Sequence, residues 1–179
     1  MLNAVSNLKR TEIRAPILAL TLRNRQRDRR LNLPFLRRVL RHVLSKPLCV
    51  PAAELCFHFV SAEEMARVNW QFLRHQGPTD VITFDYRQSA DGVSSPASGA
   101  LCGEAFVCVA EAVRQAREFQ TNWPSEVVRY AVHALLHLSG YDDLVAAKRR
   151  VMKREENRLM RELALVFDFN QLETRKSKS

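Results

Sequence analysis

The sequence predicts an α+β domain, and three observations carry that reading. Apolar residues switch along the chain between strand-like alternation and helical spacing, the two kinds of segment mix without strict β-α alternation, and no stretch repeats another. At 179 residues the chain is long enough for one domain with a sizeable core. We place a flexible N-terminal arm at 1–15, a single domain at 16–168 and a polar C-terminal tail at 169–179.

Residues 1–15 carry no period and end at Ala15-Pro16. Ile17 to Leu22 is a short apolar, strand-like run, followed by the polar cluster Arg23 to Arg30. Leu33-Pro34 opens a helix with Phe35, Leu36, Val39, Leu40, Val43 and Leu44 on one face and Arg37, Arg38 and Arg41 on the other. Glu54 to Val60 alternates as a strand, with Leu55, Phe57 and Phe59 on one side. Ser61 and Glu64 have the spacing of a capping box for the next helix, which Pro78 stops.

Val81 to Tyr86 reads as a strand, with Asp80 pinning the turn before it, and Arg87 to Gly99 as a surface loop. Leu101 to Val109 is another strand, and Glu104 on it is a candidate partner for a ligand imidazole. A helix follows from Glu111 to Phe119. Pro124 and Ser125 start the next, expected to run from Glu126 to Leu138, and a long charged helix spans Leu144 to Leu163.

The net charge of +9 is unevenly placed. Residues 1–50 hold 12 Lys/Arg against 2 acids, residues 51–110 hold 3 against 7, and residues 111–179 hold 13 against 10. A basic first third favours a polyanionic partner, nucleic acid first. Cys49, Cys56, Cys102 and Cys108 form no C-x-x-C pair and read as reduced core residues of a cytoplasmic protein. No apolar run approaches the roughly 20 residues needed to span a bilayer, so no membrane role is expected.

The chemistry concentrates in His133 to Asp143, His-Ala-Leu-Leu-His-Leu-Ser-Gly-Tyr-Asp-Asp. Residues four apart share a helix face, so His133 and His137 can point at one spot. Gly140 can take the left-handed conformation that ends a helix, and Asp143 then returns as a third ligand. Three protein ligands with a fourth position left for water is the arrangement of a catalytic zinc site. Ala134 stands where a zinc peptidase of the H-E-x-x-H type carries its glutamate base, which argues against a peptidase.

This segment resembles the signature of the YbeY family, bacterial endoribonucleases of rRNA maturation and ribosome quality control, whose pattern is H-G-x-L-H-L-x-G-Y-D-H. His133, Leu136, His137, Leu138, Gly140, Tyr141 and Asp142 fall on matching positions, whereas Ala134 replaces Gly and Asp143 replaces a third His. A second block, Asn69 to Phe84, is similar to the family's N-x-x-x-Y-R-x-x-x-x-P-T-D-V-L-S-F, with Leu73 in place of Tyr and one residue fewer between Arg74 and Pro78.

The resemblance implies a small mixed sheet of about four strands packed with about five helices, with the metal site on a central helix. It further implies a zinc-dependent, single-strand-specific endoribonuclease acting in 16S rRNA 3′-end maturation. Its partners would be rRNA and the small ribosomal subunit, with ribosomal proteins and an assembly GTPase. The site would be His133, His137 and Asp143 on Zn2+, or on another first-row divalent metal, with Arg74 holding the scissile phosphate. The competing expectation is a non-catalytic rRNA-binding assembly factor whose metal is structural, closed by a fourth protein ligand.

Overall fold

The computed structural model describes residues 17–87 and 99–174. The arm at 1–15, most of the loop after Arg87 and residues 175–179 lie outside the described residues. In chain order the elements are β1 (Ile17–Asn24), α1 (Leu33–Ser45), β2 (Ala52–Val60), α2 (Ala62–Leu73), β3 (Val81–Asp85), β4 (Leu101–Cys108), α3 (Val109–Glu118), α4 (Trp123–Leu138) and α5 (Ala146–Ala164). A 3-10 turn at Phe169–Leu172 follows. This is the expected α+β arrangement, with four strands in one mixed sheet and five helices around it.

The strand order is β1-β2-β4-β3. β1, β2 and β4 run parallel, with Leu20 beside Leu55, Leu22 beside Phe57 and Cys56 beside Glu104. β3 closes the edge antiparallel to β4. Because side chains alternate across a strand, the sheet has two distinct faces. On one, Leu20, Leu22, Leu55, Phe57, Phe59, Ala105 and Val107 join a core with α1 and α4. On the other, Val60, Ile82 and Cys108 pack beneath Met65 of α2, with Phe84 and Phe106 against them.

The helix starts follow local chemistry. The Asn32 side chain caps α1 through the Phe35 amide at 3.1 Å, and all six apolar residues expected inward on α1 are buried. Ser61 caps α2 through the Glu64 amide at 3.3 Å. The other half of the expected capping box is not made, because the Glu64 carboxylate is held by Arg25 at 2.6 Å. α2 also ends before the proline: Arg74 takes the left-handed conformation (φ 58°) as its C-cap. α4 starts earlier than expected, because the Asn122 side chain, not Ser125, accepts the capping hydrogen bond, at 2.8 Å from the Ser125 amide.

Two further expectations are corrected. Cys49 is exposed and only Cys108 is fully buried, although all four cysteines are free. The tail expected from 169 onward is packed at least through Leu172, which is fully buried, and Leu31 bridges to Glu173. Leu172, with Phe169 packed against the same core, seats it. No helix among the described residues is long and apolar enough to cross a membrane.

Gly103 of β4 sits where the β3 backbone and Leu138 of α4 come close to the strand. A Cβ there would collide with the Phe84 carbonyl oxygen and stand 3.0 Å from Leu138 Cδ2. Gly103→Ala is expected to destabilise the fold by about 1–3 kcal/mol, as overpacking typically does. Denaturant unfolding measures it, and an unchanged midpoint would contradict this packing.

Candidate metal centre

α4 is a core helix. Val127, Val128, Ala131, Val132, Ala134, Leu135 and Leu136 are fully buried, so its orientation is fixed by packing. His133 and His137 lie on its remaining, partly open stripe, 17% and 25% exposed. After Leu138, Gly140 adopts φ 94° and the Tyr141 amide bonds back to the Leu136 carbonyl at 3.0 Å, which ends the helix and turns the chain over the two rings. Arg149 holds the Asp143 carbonyl at 2.9 Å. The three residues singled out as ligands are thereby brought together.

The outer nitrogens of both rings are spoken for. His133 Nδ1 lies 2.9 Å from Glu156 Oε2, and His137 Nδ1 lies 3.2 Å from the Tyr141 carbonyl oxygen. A carbonyl and a carboxylate only accept, so each Nδ1 carries the proton and each Nε2 presents a lone pair when the ring is neutral. Burial, with His133 as neighbour, pushes the His137 pKa down and favours that neutral form. The two Nε2 atoms stand 3.0 Å apart, and each is 3.9 Å from an Asp143 carboxylate oxygen.

Two facing lone pairs and a carboxylate repel unless a proton or cation lies between them. A tetrahedral zinc with bonds of about 2.0–2.1 Å separates its ligand atoms by about 3.3–3.4 Å, which falls between the observed distances. The donor set therefore fits a divalent metal.

Glu156 is the residue that sequence reading missed. It is 3% exposed and binds Arg129 and Lys153, each at 2.8 Å, as well as His133. Burial pushes its pKa up, but the hydrogen bonds from His133, Lys153 and Arg129 outweigh it and hold the carboxyl at about 2. The signal was present: Glu156 falls on the stripe of Met152, Leu159 and Leu163, where an amphipathic helix otherwise places apolar residues. Glu104, a candidate partner for a ligand imidazole in the sequence, faces His58 at 3.3 Å and not His133 or His137.

A cavity of about 220 Å3 opens beside the centre, lined by His133, Asp143, Glu156, Asp80, Tyr130 and the cations Arg129, Arg149 and Lys153. Asp80 pins the turn before β3 as expected, accepting from the Val81 amide at 2.9 Å. Arg74 is not in the cavity wall. It is exposed, with its guanidinium 6.0 Å from the Trp70 ring centre, on the turn that leads through Gly77 to Asp80. That turn is tied to α2 by Asn69 Nδ2 donating to the Gly77 carbonyl at 2.9 Å.

The family model described as Endoribonuclease YbeY matches residues 21–164. The chain belongs to the YbeY family of endoribonucleases. A curated Endoribonuclease YbeY of Chlorobium phaeobacteroides is 33% identical over 128 residues, covering 72% of this chain and 86% of that protein. One of Salinibacter ruber is 31% identical over 133 residues, 74% of this chain and 84% of the other. The solution structure of TM1509 from Thermotoga maritima shares the fold, with a TM-score of 0.57 at 21% identity over 89% of this chain and 99% of that one.

Glu156→Gln keeps the size of the side chain but removes the charge that steadies the His133 proton. Zinc affinity is expected to fall 10–100-fold, the usual cost of losing such an outer partner. Chelator competition measures it, with Glu155→Gln as the control: Glu155 pairs with Arg158, away from the rings. The stability that Glu156 contributes is complete above its ordinary pKa of 4.5 and is lost as pH falls toward about 2. Acid unfolding should therefore be less steep in Glu156→Gln than in the parent.

Proposed function

We propose that the chain is a zinc-dependent endoribonuclease of single-stranded RNA, acting in 16S rRNA 3′-end maturation and ribosome quality control in the cytoplasm. Its metal ligands are His133, His137 and Asp143. The observation that carries the reading is the convergence of two lone pairs and a carboxylate on one point beside a cation-lined cavity. Membership of an endoribonuclease family supplies the reaction class.

Zinc bound there supplies Lewis acidity toward a phosphoryl oxygen and acidifies water. The chain's own residues do the rest. Glu156 and the Tyr141 carbonyl hold the two imidazoles in the tautomer that leaves Nε2 free. Arg149 and Lys153 give the cavity wall positive charge against RNA phosphates, and Arg74, on the turn that delivers Asp80, takes the scissile phosphate in a bidentate grip. The arginines of the first third, including exposed Arg23, Arg37 and Arg41, bind the flanking backbone.

The rival reading, a closed structural metal, is disfavoured by Asp142. That carboxylate caps the Leu144 amide at 2.9 Å and pairs with Lys148 at 3.0 Å, so it is engaged away from the rings. Among the described residues the cluster holds three donor side chains. Ribosomal proteins and an assembly GTPase complete the proposed partners.

His133→Ala and Asp143→Ala are each expected to lower the zinc content by one ion per chain relative to the parent, read by elemental analysis, and to abolish cleavage of precursor small-subunit rRNA. Undiminished cleavage by fully metal-free protein sinks the mechanism. Arg74→Ala is expected to keep its zinc and lose cleavage at least about tenfold, in line with removal of one charge-stabilising donor. Retained activity in that variant, with loss in Arg149→Ala, would move the phosphate site into the cavity wall.

A further inference from the structure

A second cluster lies on the sheet face opposite α4. Cys56 and His58 alternate with Leu55, Phe57 and Phe59 on β2, and Glu104 stands beside Cys56 on β4. They therefore point away from the core that holds the metal helix. His58 is 4% exposed and stacks on Phe106 with ring centres 4.6 Å apart. Its Nε2 is 3.3 Å from Cys56 Sγ and 3.3 Å from Glu104 Oε2. All three donor atoms lie within 4.8 Å of one another.

One imidazole nitrogen has a single N–H or a single lone pair, so it makes a full two-centre hydrogen bond to only one of the two neighbours. His58 Nδ1 is buried without a partner among the described residues, so no second hydrogen bond accounts for the ring's orientation. A relay from carboxylate through imidazole to thiol is also ruled out, because both contacts fall on the same nitrogen. A cation among the three atoms takes one lone pair from each. Tetrahedral zinc with sulfur at about 2.3 Å and nitrogen at about 2.0–2.1 Å sets those two atoms about 3.5 Å apart, close to what is seen. Thiolate, imidazole and carboxylate together are a borderline-soft set suited to zinc or cobalt rather than magnesium or calcium.

We propose that Cys56, His58 and Glu104 form a second transition-metal site, for zinc or a metal of similar softness, clipping β2 to β4 on the face away from the catalytic helix. It shares no ligand with the centre at His133, so the two stand or fall separately. Binding releases the Cys56 thiol proton, and each residue contributes one donor atom.

Cobalt titration of the reduced, metal-free full chain tests this, because only a sulfur ligand gives a near-ultraviolet thiolate-to-cobalt charge-transfer band. The centre at His133 has no sulfur. The parent protein is expected to show the band, complete by two equivalents of cobalt, since the centre at His133 takes the other. Cys56→Ser should abolish it, Glu104→Gln should shift it to higher cobalt, and His133→Ala and Cys49→Ser should leave it intact. Absence of the band in the parent protein, or its survival in Cys56→Ser, overturns the proposal. The parent titration decides the matter even if a variant fails to fold.

Discussion

The burial of α4 is the constraint on which the molecule depends. A helix enclosed by the sheet, α3 and α5 cannot rotate without disrupting the whole core, so the one stripe left open to solvent is determined by packing alone. The residues on that stripe are His133 and His137. Ala134, between them in sequence, is fully buried, and a glutamate at that position would lie among apolar side chains. The same packing that aims the imidazoles therefore excludes a base at the position a zinc peptidase uses.

The rest of the structure supports that stripe from outside. α5 contributes Glu156, whose carboxylate answers three donors at once, and the turn after α4 contributes a carbonyl. A buried carboxylate with one partner would be costly, and with three it is a rigid node joining α4 to α5. The 3-10 turn at the C-terminal end packs Leu172 against α4. Stability and ligand geometry are thus served by the same contacts.

Much of this was legible in the sequence, and the parts that were not have identifiable physical causes. The i,i+4 pair with Gly140 and Asp143 located the centre because helix periodicity is local. The six inward residues of α1 were readable for the same reason. Glu156 escaped because its role depends on two helices meeting, although its place on an apolar stripe was a clue. The half-made capping box at Ser61 escaped because Arg25, distant in sequence, claims the Glu64 side chain. The pairing of Cys56 and His58 with Glu104 required the β2–β4 register, which sequence spacing does not encode.

The three proposed ligands differ in how firmly they are held. The imidazoles are fixed on a packed helix and braced from behind, whereas Asp143 sits on the returning loop, 38% exposed, with its carboxylate oxygens 3.9 Å from the nitrogens. An ion at this cluster would meet two donors held in place by core packing and a third carried on exposed loop backbone.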